Sequence, residues 1–478
     1  MRGAAQRSVV DIEFEDDLRT FCAACHVMPR PQSFPKDSWK KEVNRGFDFY
    51  YAAGRRDLKV PSKEKAVAWF RKRAPHTLSI PSVREPDGPL IFEKQALQLT
   101  QSKSQTPPAI SYLAQIETSE FGSQLVMSDM RSGLIHLMNN AKGDDYHSLN
   151  TKGSPCAVRM HRHPDGSEEM LVADLGSFLP ADHKRGRLLS YSEPFRTQDA
   201  NPTVILDDVG RVADFCIGDF DGDSKPDIAV AAFGWHDTGA VYLLTNTSES
   251  GSLTQFEQTT LDDRPGAIQI QAVDLNNDDR LDLVTVISQE SEQIVAYINQ
   301  GDGFEATILY EAPDPSFGSS GIKLTDIDGD DDWDIIYTNG DTFDSFLVKP
   351  FHSIQLLINE GQLRFKARRL TTMPGVHRAL DADLDGDGDL DIVAVALLPQ
   401  HTRKKIPESK RLASVCWLEN QKGRFVRHVI AADTPVHPNL WVADIDADGD
   451  IDLITGRLTE EDGNNQHVAD IFQNQGPR

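Results

Sequence analysis

Five stretches of this chain put an oxygen-bearing side chain at positions 1, 3, 5 and 9: DFDGDSKPDI from Asp219, DLNNDDRLDL from Asp274, DIDGDDDWDI from Asp326, DLDGDGDLDI from Asp383 and DIDADGDIDL from Asp444. Positions 1, 3, 5 and 9 are Asp219, Asp221, Asp223 and Asp227, then Asp274, Asn276, Asp278 and Asp282, then Asp326, Asp328, Asp330 and Asp334. The last two copies supply Asp383, Asp385, Asp387 and Asp391, and Asp444, Asp446, Asp448 and Asp452. Carboxylates held this close repel one another and raise each other's pKa unless a cation neutralises them. Hard oxygens alternating along a short loop suit Ca²⁺ better than Mg²⁺, which demands a strict octahedron, or Zn²⁺, which prefers nitrogen and sulfur. The five loops are therefore expected to bind Ca²⁺, and Asn276 makes the copy at Asp274 the weakest of the set.

A second constellation lies near the start. Cys22-Ala23-Ala24-Cys25-His26 has the spacing of covalent haem c attachment: two thiols form thioethers to the vinyl groups of one porphyrin, and the adjacent His ligates the iron. Half of a zinc site would need a second ligand pair nearby, and the next cysteine is Cys156. A thioredoxin-like dithiol would need a βαβ context that this stretch lacks. A second axial ligand is harder to find, because no Met lies between Met28 and Met127, and Met28 is too close to His26 to reach the opposite face of the ring. His76 is the candidate, with Tyr50 and Tyr51 behind it. The remaining cysteines, Cys156, Cys216 and Cys416, lie in apolar contexts that suit buried thiols.

The elements that must position these groups follow from pattern. Residues 11–26 read as an amphipathic helix with Ile12, Phe14, Leu18 and Phe21 inward, and a second helical stretch surrounds Trp39. Ser62 caps a third helix in which Ala66, Val67, Trp69 and Phe70 pack back on the first. Residues 1–75 thus form a small helical, cytochrome-c-like domain, and the Pro-rich, polar stretch 76–89 is a linker. Beyond it, position 9 of each Asp loop runs straight into an apolar run such as IAVAAF or IVAVAL, which reads as a buried strand rather than the helix that would follow an EF-hand loop.

The loops recur every 52 to 61 residues, the length of a four-stranded propeller blade. Outer strands begin at Phe256, Phe304, Phe365 and Phe425, with weaker copies at Pro202 and Tyr146. A seventh, from Phe92, precedes any inner strand, whereas the last repeat ends without one. Residues 90–478 are therefore expected to form a mainly β, seven-bladed propeller closed by its own N-terminal strand, which removes two sheet edges.

The stretch CAACHVMPRPQSFPKDSW followed by Asp loops resembles bacterial FG-GAP/VCBS-repeat proteins that carry a cytochrome-c-like segment ahead of a β-propeller. The loops themselves are similar to the Ca²⁺ loops of integrin α-subunit propellers. The resemblance implies structural Ca²⁺ sites and a haem c protein.

A formal charge of −25, from 49 basic and 74 acidic residues, argues against nucleic acid or an anionic membrane surface as partner. Five bound Ca²⁺ would reduce it to −15, so part of the acidity is the metal-site inventory. No apolar run is long enough to span a bilayer, and no export signal is visible in residues 1–20. A periplasmic or extracellular location is expected on other grounds, since haem c is attached outside the bacterial cytoplasm and Ca²⁺ loops suit a calcium-rich exterior. Neither G-x-S-x-G, Walker A, H-E-x-x-H nor a Rossmann glycine pattern is present. Arg211, His377, Arg378, His437 and Trp441 open the inner strands and could line one end of a central channel, and Trp235 and His236 sit in a loop. Two functions remain in view: electron transfer coupled to a protein or extracellular ligand at the propeller face, or an oxidoreductase with substrate between haem and propeller. A third is an adhesion or glycan-binding propeller without catalysis.

Overall fold

In a computed structural model of the chain, residues 9–478 are described except 82–87, 101–105, 140, 193, 195–199, 250, 408–409, 433 and 461–464. Apolar runs of β-branched residues bounded by Asp, Asn and Gly turns become 28 strands arranged as seven four-stranded antiparallel sheets. The sheets are blades covering 110–150, 155–209, 212–262, 267–311, 319–372, 376–431 and 440–477. Leu90–Gln98 completes the last blade by pairing with His467–Pro477, as the unmatched outer strand foretold.

Burial falls from the middle of each blade outward. The second strands Asp227–Ala232, Asp282–Ile287, Asp334–Asn339 and Asp391–Ala396 are buried at every residue, because each is covered on both faces by neighbouring blades. Outer strands such as Phe256–Asp262 expose most of their side chains. Within each full blade the chain runs up the inner strand, through the Asp loop, down the second strand, and back. The Asp loops therefore share one face of the disc with the turns between third and fourth strands. The opposite face carries the turns between second and third strands and the connections between blades.

The helical segment consists of α1 (Val9–Cys22), α2 (Trp39–Ala52) and α3 (Lys63–Arg73), around a buried cluster of Leu18, Phe21, Phe34, Trp39, Val43, Phe47, Tyr50, Ala66 and Phe70. Ser62 accepts from the Lys65 N–H at 3.3 Å and caps α3 as expected. Two details differ from the sequence reading. Ile12 is exposed rather than inward, because α1 has only one neighbour-covered face, and α1 stops at Cys22, so Cys25 and His26 lie on the turn beyond it.

This unit sits on the face opposite the Asp loops. Buried Asp314, in the connection between the fourth and fifth blades, accepts from the Arg30 N–H at 2.8 Å and the Ser33 hydroxyl at 2.6 Å. Buried Lys349, in the fifth blade's turn, lies 4.2 Å from the Phe34 ring centroid and donates to the Ser316 carbonyl at 2.7 Å. Phe49 of α2 meets His236 in the third blade's turn, with ring centroids 5.3 Å apart. Of the expected 76–89 linker, residues 82–87 lie outside the described residues. Ile80 packs against Val348, Leu398 and Leu412, and Gly88 lies against His428 of the sixth blade.

Candidate metal centres and the CxxCH turn

Each Asp loop is built from the strand that ends it. The position-nine carboxylates Asp227, Asp282, Asp334, Asp391 and Asp452 are at most 1% exposed. Their Oδ1 atoms accept from the N–H groups of Asn246, Asn299, Asn359, Asn420 and Asn474 at 2.7 to 2.8 Å, which ties the loop to the third strand. Oδ2 accepts from position two in four loops, from Phe220, Leu275, Leu384 and Ile445. In the fifth blade, Asp334 Oδ2 is buried without a hydrogen-bond partner. Burial, Asp328 and Asp330 raise the Asp334 pKa, while the Ile327 N–H, at position two, still lowers it.

Among the described residues, four loops gather three carboxylates with ligand oxygens within 4.8 Å: Asp219, Asp221 and Asp227; Asp326, Asp328 and Asp330; Asp383, Asp385 and Asp387; Asp444, Asp446 and Asp452. The fourth expected ligand stands aside in each group. Asp223 pairs with Lys225 at 2.6 Å, Asp448 accepts from the Asp450 N–H at 2.9 Å, and Asp334 and Asp391 serve the clamps just described. The loop at Asp274 forms no such group. Asn276 replaces a carboxylate, and the Arg280 guanidinium binds Asp278 directly, taking the place a cation would fill. Burial, with neighbouring Asp charges adding to it, pushes Asp334 and Asp391 up to about 7 and raises Asp227, Asp282, Asp328, Asp385 and Asp452. The donor set, all oxygen and mutually repulsive, fits Ca²⁺.

The recurrent Asn at the end of the third strand escaped the sequence reading. Its amide reaches the carbonyls around its own loop, as Asn246 does to Pro226 and Asn420 to Leu390. It also reaches across blades, since Asn299 donates to Phe220 O at 2.8 Å and Asn474 to Leu384 O at 3.1 Å. The available signal was an Asn five or six residues ahead of the outer-strand Phe304, Phe365 and Phe425, as in NQGDGF and NQKGRF.

At the CxxCH turn, Cys22 is half-buried against the helical cluster, Cys25 is exposed and accepts from Arg55 Nη1 at 2.8 Å, and both thiols are free. Burial pushes Cys22 up to about 12, which makes it a poor thiolate and speaks against a redox dithiol. His26 Nδ1 lies 2.8 Å from the Val27 carbonyl, which leaves Nε2 as the nitrogen open to a ligand. Two thiols and a pinned imidazole fit a haem c donor set. The interior behind them is filled by Phe21, Phe47 and Tyr50, with Phe21 4.7 and 4.9 Å from the other two rings. His76 is not brought to this turn. It is exposed, and its neighbour Pro75 accepts from Lys36 just ahead of α2, whereas Arg55, the partner of Cys25, follows its far end. The 14 residues of α2 span about 20 Å between them.

The expected channel residues divide. His437 is fully buried, with Nδ1 3.2 Å from Gly456 O, and His377 Nδ1 lies 2.7 Å from Pro438 O. Trp441 packs into the closing blade, and Arg211 lies 5.6 Å from the Phe233 ring centroid. Only Arg378 is left facing other charged groups across the axis.

The FG-GAP-like repeat family matches residues 219–285 and 383–455, so the chain carries FG-GAP-like repeats within a seven-bladed β-propeller. No curated protein sequence matches it. Among solved structures it is similar to BBS1N, determined in complex with ARL6DN, at 9% identity over 81% of this chain and 97% of that one, with a TM-score of 0.48. Saccharomyces cerevisiae Sqt1 is similar at 12% identity over 81% of this chain and 99% of that one, with a TM-score of 0.41.

Proposed function

We propose that the chain is an exported, calcium-stabilised β-propeller that carries haem c on its helical unit and works in electron transfer or redox-linked docking of a protein partner. The observation supporting it is the turn itself, where Cys22 ends α1 and Cys25 and His26 stand just beyond it, with His26 Nδ1 engaged and Nε2 open. A bound haem would supply one-electron chemistry there. The chain's own part is to hold the turn against the propeller. Arg30, four residues past His26, is fixed to Asp314, so the turn lies within about 14 Å of chain from the propeller surface. The Asp loops on the opposite face act as scaffold ions that fix the inner hairpins.

The test is expression of the full chain in a host with haem-attachment machinery, beside Cys22→Ser and Cys25→Ser variants. The expected result is haem that stays on the denatured wild-type chain and a reduced spectrum of the c type, both lost in the double variant. Wild-type chain without covalent haem from that host would sink the reading. Carbon monoxide binding to the reduced protein would instead favour an oxidoreductase with an open iron position, since electron transfer calls for two fixed axial ligands.

A further inference from the structure

Arg378 is the third residue of the inner strand Val376–Ala382, just past a register shift between Val376 and Arg378. The same shift precedes Asp214, Gln269 and Gly321 in three other blades, so these residues occupy one level of the ring. Arg378 belongs to the sixth blade, yet the charges it feels are Asp214 of the third, Arg159 of the second and Tyr112 of the first. Blades so far apart meet only across the central axis, so this group is the channel's charged waist.

The waist is unbalanced. Asp214 Oδ1 accepts from Arg159 Nη2 at 2.8 Å and Oδ2 from the Ile270 N–H at 3.3 Å, so its charge is committed to Arg159. Arg159 Nη1 donates to Tyr112 OH at 2.9 Å, which uses the hydroxyl as acceptor and leaves its proton without a protein partner. The Arg378 guanidinium makes no hydrogen bond or ion pair with the protein among the described residues. Two guanidinium groups thus face one carboxylate, and neither can shed its proton. A half-buried guanidinium without a counter-ion is costly, and burial draws the Arg378 pKa down.

We propose that the central channel binds a small oxoanion between Arg378 and the Tyr112 hydroxyl, above the Arg159–Asp214 pair. The planar guanidinium fork matches a carboxylate, sulfate or phosphate edge, and the Tyr112 proton supplies a third donor. The site lies nearer the face bearing the blade connections, since the inner strands start there.

Sulfate and acetate serve as probes, titrated calorimetrically into calcium-loaded full chain at fixed ionic strength. Wild type is expected to bind one of them saturably at one site, with Arg378→Gln weakening it at least about tenfold. Arg378→Lys, which keeps the charge and loses the fork, should fall between. Without the probe, Arg378→Gln should melt no lower than wild type, because it removes an unpaired charge and no contact. Equal anion binding by wild type and Arg378→Gln, absence of saturable binding by either probe, or a lower anion-free midpoint for the variant would each overturn the proposal.

Discussion

Asp385→Asn should change the sign of its effect with calcium. Asp385 shares a loop with Asp383 and Asp387, their oxygens within 4.8 Å, and its pKa is raised by burial and then by Asp387. Without metal, neutralising it removes two repulsions. Each is about 1 kcal/mol at that separation in water, and solvent screening at this part-exposed site leaves about 1 kcal/mol in total. With free Ca²⁺ a hundredfold above the dissociation constant, loss of the site forfeits about 2.7 kcal/mol. In a domain this large each kcal/mol moves the midpoint by roughly 1–2 °C. The variant should therefore melt roughly 1–2 °C above wild type in EDTA, and, with the two effects opposed at a net of about 1.7 kcal/mol, roughly 2–3 °C below it in CaCl₂ of matched ionic strength. Thermal unfolding followed by circular dichroism reads both arms. A shift of one sign in both buffers would refute the cation argument, because a merely structural Asp loses the same contacts with or without calcium.

Arg280→Ala should free Asp278 in the loop at Asp274, so calcium titration is expected to show four sites in wild type and a fifth in the variant; five equal wild-type sites would contradict the competition. Asp314→Ala should cost about 3 kcal/mol by stranding the Arg30 N–H and Ser33 hydroxyl, and limited proteolysis should cut faster within 76–89 as the helical unit loosens. Lys349 has its pKa drawn down to about 8, chiefly by burial, so the folded state favours its neutral form. Its stabilising share is full above 10.5 and is lost as pH falls through about 8. Lys349→Met should therefore exceed wild type by up to about 3 kcal/mol near pH 7, with the gap closing by pH 10.5; a gap independent of pH would show that charge burial is not the cause.

What could be read from the sequence depended on how far apart the cooperating residues lie along it. An Asp loop keeps its carboxylates within nine residues, so Asp219 to Asp227 and its copies announce the period and where carboxylates gather, and the unmatched strand at Phe92 announces closure. The Asn clamp is as regular in space but blurred in sequence. Asp and Asn are separated by 19, 17, 25, 29 and 22 residues, because each blade has its own length of turn between second and third strands. The channel waist recurs in position but not in residue type. Tyr112, Arg159, Asp214 and Arg378 come from four blades with one residue each, and only ring closure makes them neighbours. Repetition encodes the scaffold because each blade must solve the same folding problem. A binding site on the axis needs each blade to contribute something different, so its residues are the ones that break the repeat.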